Sequence, residues 1–188
     1  MAKRFDRIGD DHRAFIEAQH VFFTGSAGPE GRVNISPKGM DSLRVLSPNR
    51  IVWLNLTGSG NETAGHLRET PRLTLMWCSF TTRPLILRCY GTARTVLRGG
   101  SGWDDLAVLF PSHRGARQMF DVSVDLVQTS CGYAVPFMDN PRTRDALDSW
   151  TDARSDGELR AYWQEKNAAT IDGKPADIPT LAGDQSLR

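Results

Sequence analysis

The sequence predicts a mainly β protein with flanking helices, built as an antiparallel barrel. Three observations lead there. About seven short segments rich in Val, Ile, Leu, Phe and Trp crowd residues 20 to 130, separated by Gly, Pro, Asn and Ser. Few helical stretches lie between them, whereas a parallel sheet needs a crossover, usually a helix, after each strand. From about Asn140 the pattern changes to charged, helical sequence with a few large apolar anchors.

The elements follow in order. Asp10 to Ala18 reads as a short amphipathic helix, with Ala14, Phe15 and Ala18 on one side. The strand "HVFFTGSA" runs into a Gly-Pro-Glu-Gly turn at residues 28 to 31. "RVNIS" alternates, with Val33 and Ile35 on one face and Asn34 and Ser36 on the other. "SLRVLS" precedes a Pro48-Asn49 turn, and the largely apolar "RIVWLNLT" reads as a strand buried on both faces. "RLTLMWCSF" and "PLILRCYGTARTV" are two further strands, and "VSVDLVQTS" alternates from Val122 to Val127. "RTRDALDSWTDA" and "DGELRAYWQEKNAAT" read as helices anchored by Leu147, Trp150, Leu159 and Trp163, and the tail from Ile171 reads as extended. One domain over 1–188 is expected, with 140–188 as a helical C-terminal arm of it.

Composition narrows the function classes. The chain has 188 residues, is 39% hydrophobic and 24% charged, and carries a formal charge of +1. No long basic run suggests a nucleic-acid surface or a membrane patch. No apolar run approaches the ~20 residues of a membrane span. The N-terminal stretch lacks a signal-peptide core. Three unclustered cysteines, Cys78, Cys89 and Cys131, argue against a disulfide framework and for a reducing cytoplasm. Without CxxC or HExxH, no dedicated metal site is expected.

Two stretches carry chemistry. In "LTGSGNETAGHLRETP", Ser59-Gly60-Asn61-Glu62 fits the S-x-x-E capping box. Ser59 then caps a helix, Glu62 reaches back to its amide, Ala64 and Leu67 face the core, and Pro71 ends the element. The same helix start offers free N–H donors and a positive dipole end, which suits phosphate. Gly58 and Gly60 allow close approach to the backbone. Glu62 opposes an anion in the first turn, and neither nucleotide-binding glycine fingerprint is met. In "RVNISPKGM", Pro37 removes a ladder donor, so the strand ends there or lies at an edge. Lys38 is then either solvated surface or a cation beside exposed amides.

"VNISPKG", then "RVLSPNRIVWLNLTGSGNETAGHLRETPRLTLMWCSF", then "PLILRCYGTARTV", resembles the pyridoxamine 5′-phosphate oxidase-like family of flavin-binding split barrels, in a branch carrying SPKG, LTGSGNET and SCGYxVP motifs. The resemblance spans roughly residues 10 to 170. It implies a six-stranded split β-barrel, a homodimer, and FMN in clefts between subunits. It lays the strand matching Val33 to Lys38 along the flavin ring, with Ser36 and Pro37 against the ring and Lys38 near ring or phosphate. It sets Leu56 to Thr63 around the ribityl phosphate, with Asn55, Thr57, Ser59, Gly60, Asn61 and Thr63 as the contacting residues. The implied protein is a cytoplasmic flavoprotein oxidoreductase related to pyridoxamine 5′-phosphate oxidase. Relatives of this barrel also bind the deazaflavin F420 or haem, so a non-enzymatic flavin- or haem-binding or sensing protein is the alternative.

The sequence departs from that pattern. Glu62-Thr63 stands where true oxidases carry Arg-Lys, so phosphate affinity falls to amides, to Lys38, or to an arginine such as Arg68 or Arg88. The C-terminal Trp and Arg of a true oxidase have no counterpart, so pyridoxamine phosphate is not the expected substrate. Cys131 in "SCGYAVPF" reads as a buried inert thiol, or as part of a turn lining the partner's cleft. His66 reads as a surface helix residue or a group behind the cofactor. Trp150 or Trp163 is a candidate to cover the ring.

Overall fold

The computed structural model describes residues 2–179. Among them eight strands form one antiparallel sheet. They are β1 (Lys3–Phe5), β2 (Phe22–Ser26), β3 (Asn34–Lys38), β4 (Leu43–Ser47), β5 (Arg50–Leu56), β6 (Arg72–Cys78), β7 (Ile86–Leu97) and β8 (Ala116–Ser130). The order is β3-β2-β6-β7-β8-β5-β4, with β1 added to β8. β3 and β4 do not pair with each other, so the sheet stays open between them. The helices are α1 (Asp10–Glu17), α2 (Glu62–Glu69), α3 (Trp103–Ala107), α4 (Ala146–Asp152) and α5 (Asp156–Lys166).

The two long strands organise the sheet. β7 and β8 pair along their whole shared length, from Ile86 opposite Ser130 to Leu97 opposite Gln118. A register shift at Tyr90/Gly91 interrupts them, where a Cβ on Gly91 would lie 1.9 Å from the Ser123 carbonyl oxygen. Only glycine lets the two backbones approach so closely. The first half of β8 also pairs with β5 and its last residues with β1.

β5 explains its own unbroken apolar run. Ile51 and Trp53 enter a core with Phe22, Leu75, Trp77, Leu87 and Phe120. Val52 and Leu54 enter a second cluster with Val96, Leu106, Phe110 and Met119 beneath α3. Alternate side chains therefore meet two different apolar layers, and each fully buried large side chain contributes about 1.5–3 kcal/mol. α5 packs through Leu159 and Trp163, both buried, and begins with a Ser155–Glu158 capping box.

Several elements differ from the sequence reading. β8 begins at Ala116, six residues before the alternation at Val122, because residues 116 to 120 are buried on both faces and show no period of two. β1 and α3 were not foreseen. The alternation of β3 holds, yet its apolar face is the exposed one: Val33 is 70% and Ile35 69% exposed. The Ser59 capping box does not form. α2 starts at Glu62, its N-cap is Asn61, and no side chain caps it. The Glu62 carboxylate instead accepts the Ile171 amide at 3.1 Å. Part of the expected extended tail lies beyond the described residues; the rest is tied back through the Ala169–Pro175 bridge.

Candidate cofactor cleft

A cleft of about 740 Å³ lies between β3, the loop from Gly58 to Asn61, the start of α2, and the segment after α5. β3 is an edge strand, paired on one side only with β2, so its other side is open to the cleft. Period two puts Asn34, Ser36 and Lys38 on one face, and all three are half-buried. Trp53 and Asn55 of β5 and Arg117 of β8 also line the cleft. The segment after α5 closes one wall with Ala169, Thr170 and Ile171. Asp172 in that segment accepts from the Arg32 amide at 2.7 Å and pairs with its guanidinium, which ties the wall to the entry of β3.

Two cations meet in this cleft without a carboxylate partner among the described residues. Arg117 is 1% exposed. Its guanidinium donates to the carbonyls of Leu56 at 3.0 Å and Gly60 at 3.1 Å, and its Nε has no partner. Burial lowers its pKa to about 10, against a smaller opposing effect of Tyr162. Lys38 sits with its ammonium 5.3 Å from the centre of the Trp53 ring. Burial, and then the charge of Arg117, lowers its pKa to about 8. Two like charges held together out of water are unfavourable unless an anion joins them. The helix start adds donors. The first α2 amide bonded within the helix is Gly65, to Asn61 at 3.3 Å, and the amides of Glu62, Thr63 and Ala64 have no partner among the described residues.

The expected residues divide. Ser36, Pro37, Lys38, Asn55, Ser59, Gly60, Asn61 and Thr63 all line the cleft. Asn61 is committed to structure: its amide donates to the carbonyls of Asn167 and Asp177 and accepts from Gln118 at 2.6 Å. Thr57 lies outside the cleft, where its hydroxyl donates to Gly115 at 2.8 Å and accepts from the Trp163 indole at 2.9 Å. Arg68 pairs with Asp177 and Arg88 donates to Ser130, and neither lines the cleft. Trp163 is consumed by that buried bond, and Trp150 packs on Tyr162 and the Arg154 guanidinium, so the cleft's indole is Trp53. Cys131 is exposed, which corrects its reading as a buried thiol, and it lies outside the cleft. His66 is buried, which corrects its reading as a surface residue.

Arg117 is the residue the sequence reading missed. The signal was the Arg117-Gln118 pair directly before an apolar strand. A polar pair beside Met119 and Phe120 is consistent with a strand carrying a buried site only once β8 is known to begin at Ala116. Among the described residues, no group of three or more His, Cys, Asp or Glu side chains could hold a metal ion. No described helix is long and apolar enough to cross a membrane.

Comparison with known proteins agrees with this architecture. A family profile described as pyridoxamine 5′-phosphate oxidase matches residues 8–131. The pyridoxamine 5′-phosphate oxidase family protein ustO of Aspergillus flavus is 33% identical over 194 residues, covering 91% of this chain and 76% of that one. A Lactobacillus delbrueckii protein described as a pyridoxamine 5′-phosphate oxidase superposes with a TM-score of 0.53 at 16% identity, over 65% of this chain and 94% of that one. A variant of HupZ from Group A Streptococcus gives a TM-score of 0.52 at 16% identity, over 65% and 99% of the two chains. These solved structures share the split-barrel fold.

Proposed function

This chain belongs to the pyridoxamine 5′-phosphate oxidase family, and from that premise we propose that the cleft binds FMN and that the protein is a flavin-dependent oxidoreductase. The observation that carries the reading is Arg117: a buried guanidinium with an orphan Nε, beside Lys38 and a helix start whose amides are free. That set fits a phosphate dianion. Arg117, Lys38 and the Glu62 to Ala64 amides would hold the phosphate, while Ser36, Pro37 and Trp53 would flank the ring. A bound flavin supplies the electron transfer. The chain's own groups bind, orient and exclude water. Lys38, charged near neutral pH and desolvated, keeps a proton available at Nζ close to whatever occupies the cleft.

The alternative is a non-enzymatic flavin- or haem-binding or sensing protein. It is favoured by the lining, which contains no histidine, cysteine or tyrosine, and whose one carboxylate, Glu62, is held by the Ile171 amide. The same lining offers no His, Cys, Met or Tyr ligand for haem iron from this chain, and this tilts the cofactor toward flavin over haem. F420, also phosphate-bearing, remains an arm of the test. The exposed Ile35 on the edge strand β3, with Val33 exposed just before it, supports a homodimer. The buried Trp163 and Leu159 support reading residues 140–188 as an arm of one domain.

Purified protein titrated with FMN, riboflavin, F420 and haem tests the reading. FMN binding with flavin absorbance at about 450 nm, followed by bleaching on NAD(P)H addition, is the expected result. A bound flavin that no reductant bleaches selects the binding protein, and no FMN binding at tens of micromolar refutes both flavin readings.

A further inference from the structure

We infer that Lys38 takes up carbon dioxide as a carbamate, which converts one of the cleft's two unpartnered cations into an anion. Lys38 ends β3, lines the cleft, and holds its ammonium 5.3 Å from the centre of the Trp53 ring. Arg117 of β8 lines the same cleft and acts on Lys38 through its charge. The other lysines stand in different surroundings. Lys166 pairs with Glu165 at 2.7 Å, and Lys174 pairs with Glu69 at 2.7 Å. Hydrogen bonds to those carboxylates raise both of their pKa values. Lys3 lies on the exposed strand β1. Lys38 is thus the lysine that combines an open cavity, desolvation and a neighbouring cation.

The reaction needs an unprotonated amine, because only the lone pair attacks carbon dioxide. Burial, and then the charge of Arg117, lowers the Lys38 pKa to about 8, so about half of the molecules carry that lone pair at pH 8. The Nζ lone pair forms a bond to the carbon, one C=O electron pair moves onto oxygen, and the amine proton leaves to solvent. No electron donor or acceptor is required. Lys38 passes from a positive to a negative charge, and the Lys38–Arg117 pair from two positive charges to none. The repulsion that disfavours the ammonium beside Arg117 becomes an attraction for the carbamate. At Lys166 and Lys174 the same reaction would set the new anion against a carboxylate, which opposes it. Regaining a proton at nitrogen expels carbon dioxide, so the carbamate grows as pH rises and is lost as pH falls.

Charged groups face the cleft from each wall. Arg117 comes from β8, and Lys166, paired with Glu165, comes from the end of α5. Glu62, at the start of α2, accepts the Ile171 amide at 3.1 Å. Arg32, just before β3, is held by Asp172. β5 contributes the uncharged Trp53 and Asn55. Arg117 is therefore the cation left to receive a new anion at Lys38. The carbamate itself needs no cofactor. Its consequence rests on the proposed function: the carbamate repels the phosphate that the ammonium attracts, so carbon dioxide and FMN compete for this lysine.

Alkylation trapping of the unliganded protein tests the carbamate without any cofactor. At about pH 8.5 in carbon-13 bicarbonate, where the Lys38 amine is mostly unprotonated, a trialkyloxonium salt esterifies the carbamate, and peptide mass mapping locates the labelled ester. An unstructured peptide with a free α-amino group, of pKa about 8, is trapped in the same tube as the reagent control. The ester should appear at Lys38 and not at Lys166 or Lys174, and its yield should fall in Arg117→Met. An unlabelled Lys38 beside a labelled control peptide, or equal labelling of Lys38, Lys166 and Lys174, overturns the proposal. With FMN as probe at fixed ionic strength, bicarbonate should weaken binding to the wild type about twofold when carbon-13 NMR shows about half of Lys38 as carbamate, because only the remainder is competent. Lys38→Arg keeps a cation but takes up no carbon dioxide, so it should show only the smaller loss from bicarbonate as a competing anion. Equal losses overturn the link to the flavin. A wild type that binds no FMN refutes the proposed cofactor, while the trapping result still decides the carbamate.

Discussion

Lys38 gives the cleft a signature that pH reveals. Its pKa of about 8 stands well below 10.5 because burial and then the charge of Arg117 disfavour the ammonium. At pH 7 about nine-tenths of the lysines are charged, and at pH 9 about one-tenth. A phosphate monoester is already about nine-tenths dianionic at pH 7 and becomes fully so by pH 9, since its second pKa is about 6. If the ammonium meets the phosphate, FMN affinity falls about tenfold between pH 7 and pH 9, tracking the charged fraction. Riboflavin, which lacks the phosphate, should show no such fall. Lys38→Met should weaken FMN by about 10- to 150-fold at pH 7, the worth of a charge-assisted contact, and should flatten the slope. Fluorescence titrations of both ligands against both proteins measure this. A riboflavin slope equal to that of FMN, or a slope that survives in Lys38→Met, refutes the reasoning.

The same shift predicts stability with a definite sign. The unfolded chain binds more protons at Lys38 than the folded one between pH 8 and 10.5, so this group makes the unliganded protein more stable as pH rises through that window. Below it the ammonium costs no more than about 3 kcal/mol, and less in so far as the half-buried side chain keeps some water. Lys38→Met should therefore raise the melting temperature of the unliganded protein at pH 7 while it weakens FMN. Stability and binding then move in opposite directions, as expected for a site that stores unfavourable charge.

Other outcomes are as specific. Arg117→Met keeps most of the volume and removes the buried charge; FMN affinity should fall about 10- to 150-fold in the same titration, and the Lys38 pKa should rise because a repelling neighbour is gone. Gly91→Ala should destabilise by more than about 2 kcal/mol in urea unfolding, because its Cβ would lie 1.9 Å from the Ser123 carbonyl oxygen. The Cys89 thiol, pushed up to about 12 by burial, should resist iodoacetamide in the folded protein at pH 8 while the exposed Cys131 reacts. Light scattering should show a dimer at micromolar concentration, and Ile35→Lys on the exposed face of β3 should yield monomer; a wild-type monomer with FMN present would refute the shared cleft.

Much of the fold was legible because strands announce themselves locally. β5, β6 and β7 each carry a compact apolar run bounded by turn residues, and α1 carries its own 3.6 period. What escaped was non-local. The first third of β8 lacks alternation because β5, β7 and two core layers cover it from every side. The cleft's cations sit 79 residues apart, the difference between positions 38 and 117, and only the sheet order brings them together. Ser59 and Glu62 have the spacing of a capping box, yet the Ile171 amide, 109 residues on, took the carboxylate. A motif specifies what a side chain is able to bond, while tertiary competition decides which partner it gets.

That competition accounts for the departure at Glu62-Thr63. The resemblance places an Arg-Lys pair at this helix start, where side chains can reach a phosphate directly. Here Glu62 lines the cleft and holds the Ile171 amide of the segment that forms its far wall. Thr63 turns inward, toward Ser26, Asn34 and the cleft. The positive charge that the helix start lacks is supplied from two strands, by Lys38 of β3 and Arg117 of β8. A strand holds a side chain more rigidly than a helix end that frays. Arg117 is fixed further by the two carbonyls it bonds, one of them Gly60 in the loop itself. Loop and cation are therefore set by the same guanidinium, so a change at Gly60 should disturb Arg117 as well as the backbone. Gly60→Val should weaken FMN more than Gly58→Ala, whose added Cβ would meet nothing within 4 Å, whereas a Cβ at Gly60 lies 3.4 Å from the Glu62 carboxylate. Equal loss in the two variants would mean that the loop acts through its amides alone and that Arg117 does not organise it.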